Sequence, residues 1–273
     1  MIVPVKRLSA AKSRLRGALG AGKAAAARPA ERLTNGGRDL ADAPVIAEVG
    51  PPTDDVAPGG SEHELLVLAM ALDTMAAALA SPVVGRVVVV TADPTVGEEA
   101  ALLGAEIITD VPDAGLNPAL AYAAAQVRRT RPGSAEPGVA ALTADIPALR
   151  TEDLTAALRE AERVGAGQTQ AWGGPRSFVT DAAGSGTVLL AAPPASVLEP
   201  CFGGDSAVAH TASGAVLLTG DWPSLRRDVD TPADLHEAVA LGVGLRTAAA
   251  LAANLWQPPS MLAPSSTDTG EKV

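Results

Sequence analysis

Four short runs of apolar, largely β-branched residues limit the fold more than anything else in the chain. Residues 1–5 (Met1-Ile2-Val3-Pro4-Val5), 86–91, 105–109 and 139–143 show little alternation of apolar with polar positions. Strands formed there must therefore be covered on both faces, the condition of a parallel sheet wrapped by helices. Residues 96–103 fit a short crossover helix between the second and third runs, which completes a βαβ unit. Open parallel sheets bind ligands beyond the carboxyl ends of their strands, so the segment leaving Val5 stands at the mouth of a site.

That segment is basic. Lys6, Arg7, Lys12, Arg14, Arg16, Lys23 and Arg28 fall within the first thirty positions with no acidic residue among them, in a chain whose net charge is -10. An acidic protein that keeps its cations at that point reads as holding a polyphosphate there. The plainer alternative is an amphipathic helix, since Leu8, Ala11, Leu15 and Leu19 form a stripe at helical spacing and would leave the Lys and Arg side chains merely solvated.

The 273 residues suffice for one large α/β domain. We place it at 1–256, with a flexible Pro/Gly-rich insertion at 29–60 and a disordered tail at 257–273. Hydrophobic content is 47% but aromatic content only 2%, so Ala, Val and Leu must build the core. The negative charge argues against nucleic acid or an anionic membrane as partner. The single cysteine, Cys201, fits a reducing compartment and reads as a small buried side chain. There is no secretory pattern at the start, and charged or Gly residues interrupt the apolar stretches at 65–80 and 238–255, so a cytoplasmic location without membrane contact is expected.

Helix boundaries are marked by caps. Ser61-Glu62-His63-Glu64 is a capping box for a helix to about Ala80, with His63 facing solvent in its first turn. Gly115-Leu116-Asn117-Pro118 opens another, with Asn117 as N-cap and Pro118 as first helical residue. Thr151 caps a helix through about Arg163, and Thr231-Pro232-Ala233-Asp234 starts the final one. Short strands are expected at 177–180, 187–190 and 215–219.

Asp145 ends the run at 139–143 and is fixed by Ile146-Pro147, so it is placed to hold a divalent cation over a triphosphate. Magnesium needs only one or two protein carboxylates, and Asp228 or Asp230 could supply the second, since alternation puts both on the same side of an extended segment. Each also has a plainer reading, Asp145 as a turn residue and Asp230 as a neighbour of a helix start. Residues 181–187 form a hairpin-like turn whose glycines also permit close approach to a ligand. Gly203-Gly204-Asp205-Ser206 is a loop with an N-cap, or a nest of backbone amides for a phosphorylated substrate. His210, alone on an Ala-rich face, reads as structural.

Several segments together resemble the guanylyltransferases of coenzyme F420 biosynthesis, which activate phosphoenolpyruvate or 2-phospho-L-lactate with GTP. They are Pro4-Val5-Lys6 with Ala11-Lys12-Ser13-Arg14-Leu15, Gly115-Leu116-Asn117, Ala144-Asp145-Ile146-Pro147, residues 181–187, Phe202-Gly203 with Ser206 and His210, and Asp228-Val229-Asp230-Thr231-Pro232 with Asp234-Leu235. They occur in the family's order across nearly the whole chain. The resemblance implies an α/β, Rossmann-like nucleotidyltransferase fold of the GT-A-like kind: a mostly parallel sheet flanked by helices, with a small antiparallel part that binds the acceptor. It also implies that Lys6, Lys12, Arg14 and Asn117 bind the nucleotide, that Lys12, Arg14 and Asp145 carry the catalysis, and that Asp145 and Asp230 hold Mg2+. Thr187, Gly203 and Ser206 would receive the phosphorylated three-carbon acid, and a downstream transferase would take the guanylylated product. Phosphoenolpyruvate is the acceptor favoured for a GC-rich bacterial source. The segment at 29–60 is longer than the family pattern, and Val188 stands where some members have Asn. The competing readings are a molybdopterin guanylyl- or sugar-1-phosphate nucleotidyltransferase, against which the residues after strand one lack a Gly-rich loop, and a catalytically inactive nucleotide-binding module.

Overall fold

The computed structural model describes residues 1–15, 61–129, 137–166 and 174–253. The expected insertion at 29–60 and tail at 257–273 lie outside the described residues. The four apolar runs form β1 (Ile2–Val5), β2 (Val88–Thr91), β3 (Glu106–Thr109) and β4 (Val139–Leu142). β1 pairs in parallel with both β2 and β4, and β2 in parallel with β3. Successive side chains divide between two cores. Val3, Val5, Ala140 and Leu142 point into one, while Ile2, Val139 and Ala141 point into the other. Burial on both faces is why these runs show no alternation. β3 departs from expectation: it is the edge strand, and Glu106, Ile107 and Thr109 are exposed.

Three further strands, β5 (Ser177–Thr180), β6 (Thr187–Ala192) and β7 (Val216–Leu217), complete a seven-stranded sheet of order β3-β2-β1-β4-β6-β5-β7. β6 lies antiparallel between β4 and β5, so the parallel half and the smaller antiparallel half share one sheet.

Helices cover both faces. α1 (Glu62–Ala80), α2 (Pro94–Leu102) and α4 (Thr151–Ala166) bury Leu66, Met70, Met75, Val96 and Leu154 against one face. α3 (Leu116–Arg129) and the short α5 (Ser206–Ala212) bury Leu120, Ala123 and Ala207 on the other. The α1 capping box forms as its sequence indicates, with Ser61 and Glu64 each accepting the other's backbone N–H. α1 is long and apolar enough by composition to cross a bilayer, but here it is a core helix. Leu66, Met70 and Met75 are each at most 1% exposed and contribute about 1.5–3 kcal/mol apiece.

After α6 (Pro223–Arg226), α7 (Pro232–Leu241) starts with the expected Thr231–Asp234 capping box, but it is not the last helix. Gly242, at φ +94°, turns the chain, and α8 (Leu245–Ala253) follows. Asp73 of α1 caps α8 by accepting the N–H groups of Arg246 (3.2 Å) and Thr247 (2.8 Å). Gly244 is required at this join because a Cβ there would lie 2.3 Å from the Asp73 carboxyl carbon. Thr151 is also not a cap: it is the first residue of α4, and its hydroxyl donates to the Ala77 carbonyl at 3.2 Å.

Candidate active site

The chain leaving β1 does not become a helix over its described part. Leu8–Ala10 and Ser13–Leu15 are single turns of 3-10 helix, and Lys12 between them adopts φ +48°. That backbone region is unfavourable for a side chain such as lysine. Leu8 and Leu15 are buried and anchor the loop, while Lys6 and Arg14 are exposed. Two long-range bonds fix its path. Asp93 accepts the Leu8 N–H through Oδ2 at 2.9 Å, while its Oδ1 caps α2. His63 donates from Nε2 to the Ala11 carbonyl at 2.8 Å. His63 is 6% exposed, which corrects the solvent-facing placement: it secures the peptide just before Lys12. Asp93-Pro94, an N-cap followed by a first-position proline, is a readable helix start, but nothing in the sequence announces its hold on Leu8.

Asp145 stands at the carboxyl end of β4, as expected, and is held from two sides. The Thr74 hydroxyl of α1 accepts the Ile146 N–H at 3.1 Å and lies 3.3 Å from the Ala144 carbonyl. The Asp145 carbonyl accepts the Val229 N–H at 2.9 Å, which draws Asp228 and Asp230 alongside. The Lys12 ammonium then donates to both Asp145 Oδ2 and Asp230 Oδ1. Burial works against the Lys12 charge, but the Asp145 carboxylate, and after it Asp230, outweigh burial and hold its pKa above the usual lysine value. The pKa of the Asp228 carboxyl is raised as well, which for an acid favours the neutral form. Burial first, then the charges of Asp145, Asp181 and Asp230, push its pKa up to about 7, against a smaller lowering by Lys12.

Lys12, Asp145 and Asp230 border a cleft of about 450 Å³, with Lys6, Arg14 and Thr143 also on its walls and Val67 and Met70 of α1 behind them. Two buried oxygens of cleft residues, Asp145 Oδ1 and Thr143 Oγ1, have no hydrogen-bond partner among the described residues. A hard cation binds oxygen donors of this kind, so the residues fit a divalent metal. No cluster of three His, Cys, Asp or Glu with metal-ligating geometry occurs among the described residues.

Thr187, Gly203 and Ser206 form a second group that does not line this cleft. Thr187 begins β6 after the hairpin turn, where the Asp181 carboxylate accepts the N–H groups of Ser185 and Gly186, both at 3.0 Å. A Cβ on Gly186 would lie 2.4 Å from Asp181 Oδ2, so the turn needs glycine there. The start of α5 joins this turn through the Ala207 N–H, which donates to the Ser185 carbonyl at 3.0 Å. His210, fully buried, ties the parts together. Its Nε2 accepts the Cys201 N–H at 2.9 Å, so Nδ1 carries the proton and faces the Thr187 hydroxyl at 2.9 Å. Burial, then the nearby Arg176 charge, lower its pKa to about 4.

Asn117 is neither an N-cap nor free. It lies inside the first turn of α3, and its amide pairs with the Phe202 backbone, donating to the carbonyl (2.9 Å) and accepting the N–H (2.8 Å). The family resemblance puts Asn117 beside the nucleoside; the structure commits it to the loop that carries Gly203.

Open parallel sheets bind ligands beyond their strand ends, and here that edge carries a basic loop facing paired aspartates; its curated relatives make the chain a nucleotidyltransferase, an enzyme that transfers nucleotides. A solved structure from Desulfovibrio desulfuricans G20, described as belonging to the nucleotide-diphospho-sugar transferases, shares the fold. Its TM-score is 0.56 at 16% identity over 93% of each chain. Curated relatives fix the family. A phosphoenolpyruvate guanylyltransferase of Salinispora arenicola (strain CNS-205) is 47% identical over 249 residues, covering 91% of each chain. One of Streptomyces coelicolor is 46% identical over 92% of this chain and 95% of its own. One of Streptomyces avermitilis is 55% identical over 68% of this chain and 81% of its own. The chain belongs to the phosphoenolpyruvate guanylyltransferase family. No family model matches it.

Proposed function

We propose that this protein transfers GMP from GTP to the phosphate of phosphoenolpyruvate, releasing pyrophosphate and giving enolpyruvoyl-2-diphospho-5'-guanosine for coenzyme F420 biosynthesis in the cytoplasm. The observation that carries the reading is the 46–47% identity to relatives of that name over 91–92% of the chain. The site chemistry supports it. An acceptor phosphate oxygen attacks the α-phosphorus of GTP, and the bond from that phosphorus to the bridging oxygen breaks, with the electron pair leaving on pyrophosphate. A phosphomonoester is largely dianionic at neutral pH, so no general base is required. What the protein must supply is alignment and positive charge. Lys6, Lys12 and Arg14 would meet the triphosphate. Asp145 and Asp230, with Asp228 beside them, would hold Mg2+, which when bound neutralises and orients phosphate oxygens. Thr187, Gly203 and Ser206 would receive the three-carbon acid, and the product would pass to a downstream transferase.

Pyrophosphate release tests the reading directly. Turnover is expected with GTP and phosphoenolpyruvate, dependent on magnesium, and lower with 2-phospho-L-lactate. Turnover only with a sugar 1-phosphate, or with none of these acids, would overturn it.

Asn117 gives a finer test. Because its amide holds Phe202, Asn117→Ala loses two hydrogen bonds to the loop before Gly203 and is expected to raise the phosphoenolpyruvate KM by about tenfold. The GTP KM should stay near that of the parent protein. The opposite pattern in steady-state kinetics would return Asn117 to the nucleoside.

A further inference from the structure

We infer that Lys12 is a resident counter-ion that keeps the Asp145–Asp230 pair closed to a divalent cation until the phosphates of an arriving nucleotide draw its ammonium away. This rests on the reading of Asp145 and Asp230 as metal ligands. The two carboxylates come from distant parts of the chain, one from the end of β4 and one from the segment before α7, and they converge on a single cation. That cation is the Lys12 ammonium, which donates to Asp145 Oδ2 and Asp230 Oδ1, so a metal ion that bridges the two carboxylates through these oxygens must displace it, although Asp145 Oδ1 stays free.

The loop is built to deliver it. The Lys12 side chain is only 15% exposed, turned inward by a left-handed backbone that the His63 bond to Ala11 and the Asp93 bond to Leu8 hold in place. The residue type fits a movable stopper. A lysine is a compact charge on a flexible stem, whereas an arginine would fork rigidly onto a carboxylate. Lys6 and Arg14 on the same cleft remain exposed and would attract phosphates first. Phosphate oxygens then offer Lys12 charge-assisted bonds like those it gives up, so its transfer is nearly balanced and frees both carboxylates together. Metal binding and nucleotide binding are thereby coupled through one side chain, and the coupling is reciprocal. The free protein offsets half the charge of its acidic pair without metal, and the metal is taken up with the substrate that needs it.

The test is binding of Mn2+ alone, followed by the electron paramagnetic resonance signal of the free aquo ion, with Mg2+ as competitor. Full-length parent protein is compared with Lys12→Met, with and without a non-hydrolysable GTP analogue. Lys12→Met removes the charge and keeps most of the stem; Lys12→Gln serves if that variant does not fold. The nucleotide-free variant is expected to bind Mn2+ on the order of ten- to a hundredfold more tightly than the parent, the scale of losing one charge-assisted competitor. The analogue should tighten Mn2+ binding strongly in the parent and much less in the variant. Equal or weaker Mn2+ affinity in the nucleotide-free variant overturns the counter-ion role, while analogue-dependent Mn2+ binding in the parent would leave the metal assignment standing. No Mn2+ binding by either protein, even with the analogue, would sink the metal assignment itself and this inference with it.

Discussion

Asp145→Asn is expected to lower turnover by about a hundred- to a thousandfold while moving the unfolding midpoint by no more than a few degrees. On the proposed function, the size reflects loss of a carboxylate that would hold Mg2+ over the reacting phosphates. Asp145 is preorganised in a way that Asp230 is not. Its flanking peptides are held by Thr74, its carbonyl by Val229, and its side chain is 23% exposed against 57% for Asp230. Asp230→Asn should therefore act in the same direction with a smaller loss. The small thermal effect has two opposing causes. The amide weakens one of the two Lys12 contacts, but Lys12 keeps Asp230, and the repulsion that Asp145 adds to the effect of burial on Asp228 is relieved. Steady-state kinetics and a melting curve on the same preparation check both halves. Ordinary turnover in Asp145→Asn would remove it from the chemistry, and a collapsed melting curve would mark it as a structural residue instead.

The parts of this arrangement that were legible in the sequence are those whose signal is local. Four strand runs, the Ser61 and Thr231 capping boxes and the turn at Asp181 each arise from neighbouring residues, and all form, although the third run lies at the exposed edge of the sheet rather than buried on both faces. Asp145 was visible because a carboxylate ending a doubly buried strand has few structural reasons to be there. What stayed hidden is decided by partners far along the chain. His63 looked like a solvated first-turn residue because nothing near it shows that Ala11, 52 positions away, needs its donor. Asn117 satisfied every local rule for an N-cap, yet Phe202, 85 positions away, takes both ends of its amide. The stripe of Leu8, Ala11 and Leu15 has helical spacing, but Leu8 and Leu15 serve as two separate anchors around an inward-turned lysine. Periodicity reports which side chains are buried and leaves open whether one continuous element buries them. Thr74 carries no sequence signal of its role, since a threonine inside an apolar helix reads as filler until the strand end it braces is known.

His210→Leu is expected to destabilise the protein by about 2–4 kcal/mol at pH 7.5, because the Cys201 N–H and the Thr187 hydroxyl each lose their buried partner. That cost should shrink in acid. In the folded protein the imidazole pKa is lowered from 6.5 to about 4, chiefly by burial. Between those values the unfolded chain takes up a proton that the folded one refuses. The stability contributed by neutral His210 is thus complete above pH 6.5 and is lost as the pH falls through 6.5 towards 4, up to about 3 kcal/mol in all. The leucine variant has nothing to titrate at this position, so the gap between the two proteins should narrow by about 2–3 kcal/mol between pH 7.5 and about 4.5. The difference is the quantity to read, since Asp228 titrates with the opposite sign. Its carboxyl, raised from 3.8 to about 7, favours the folded state as the pH falls through 7, and this contribution is common to both proteins. Denaturant unfolding in metal-free buffer at the two pH values measures the gap. A gap that does not change with pH would mean that the imidazole protonates as readily inside the fold as outside it. At pH 7.5 the same substitution should raise the phosphoenolpyruvate KM more than the GTP KM, because His210 joins Thr187 to the loop that leads into Gly203 and Ser206. Equal changes in both would indicate a general loss of order rather than loosening of the proposed acceptor residues Thr187, Gly203 and Ser206.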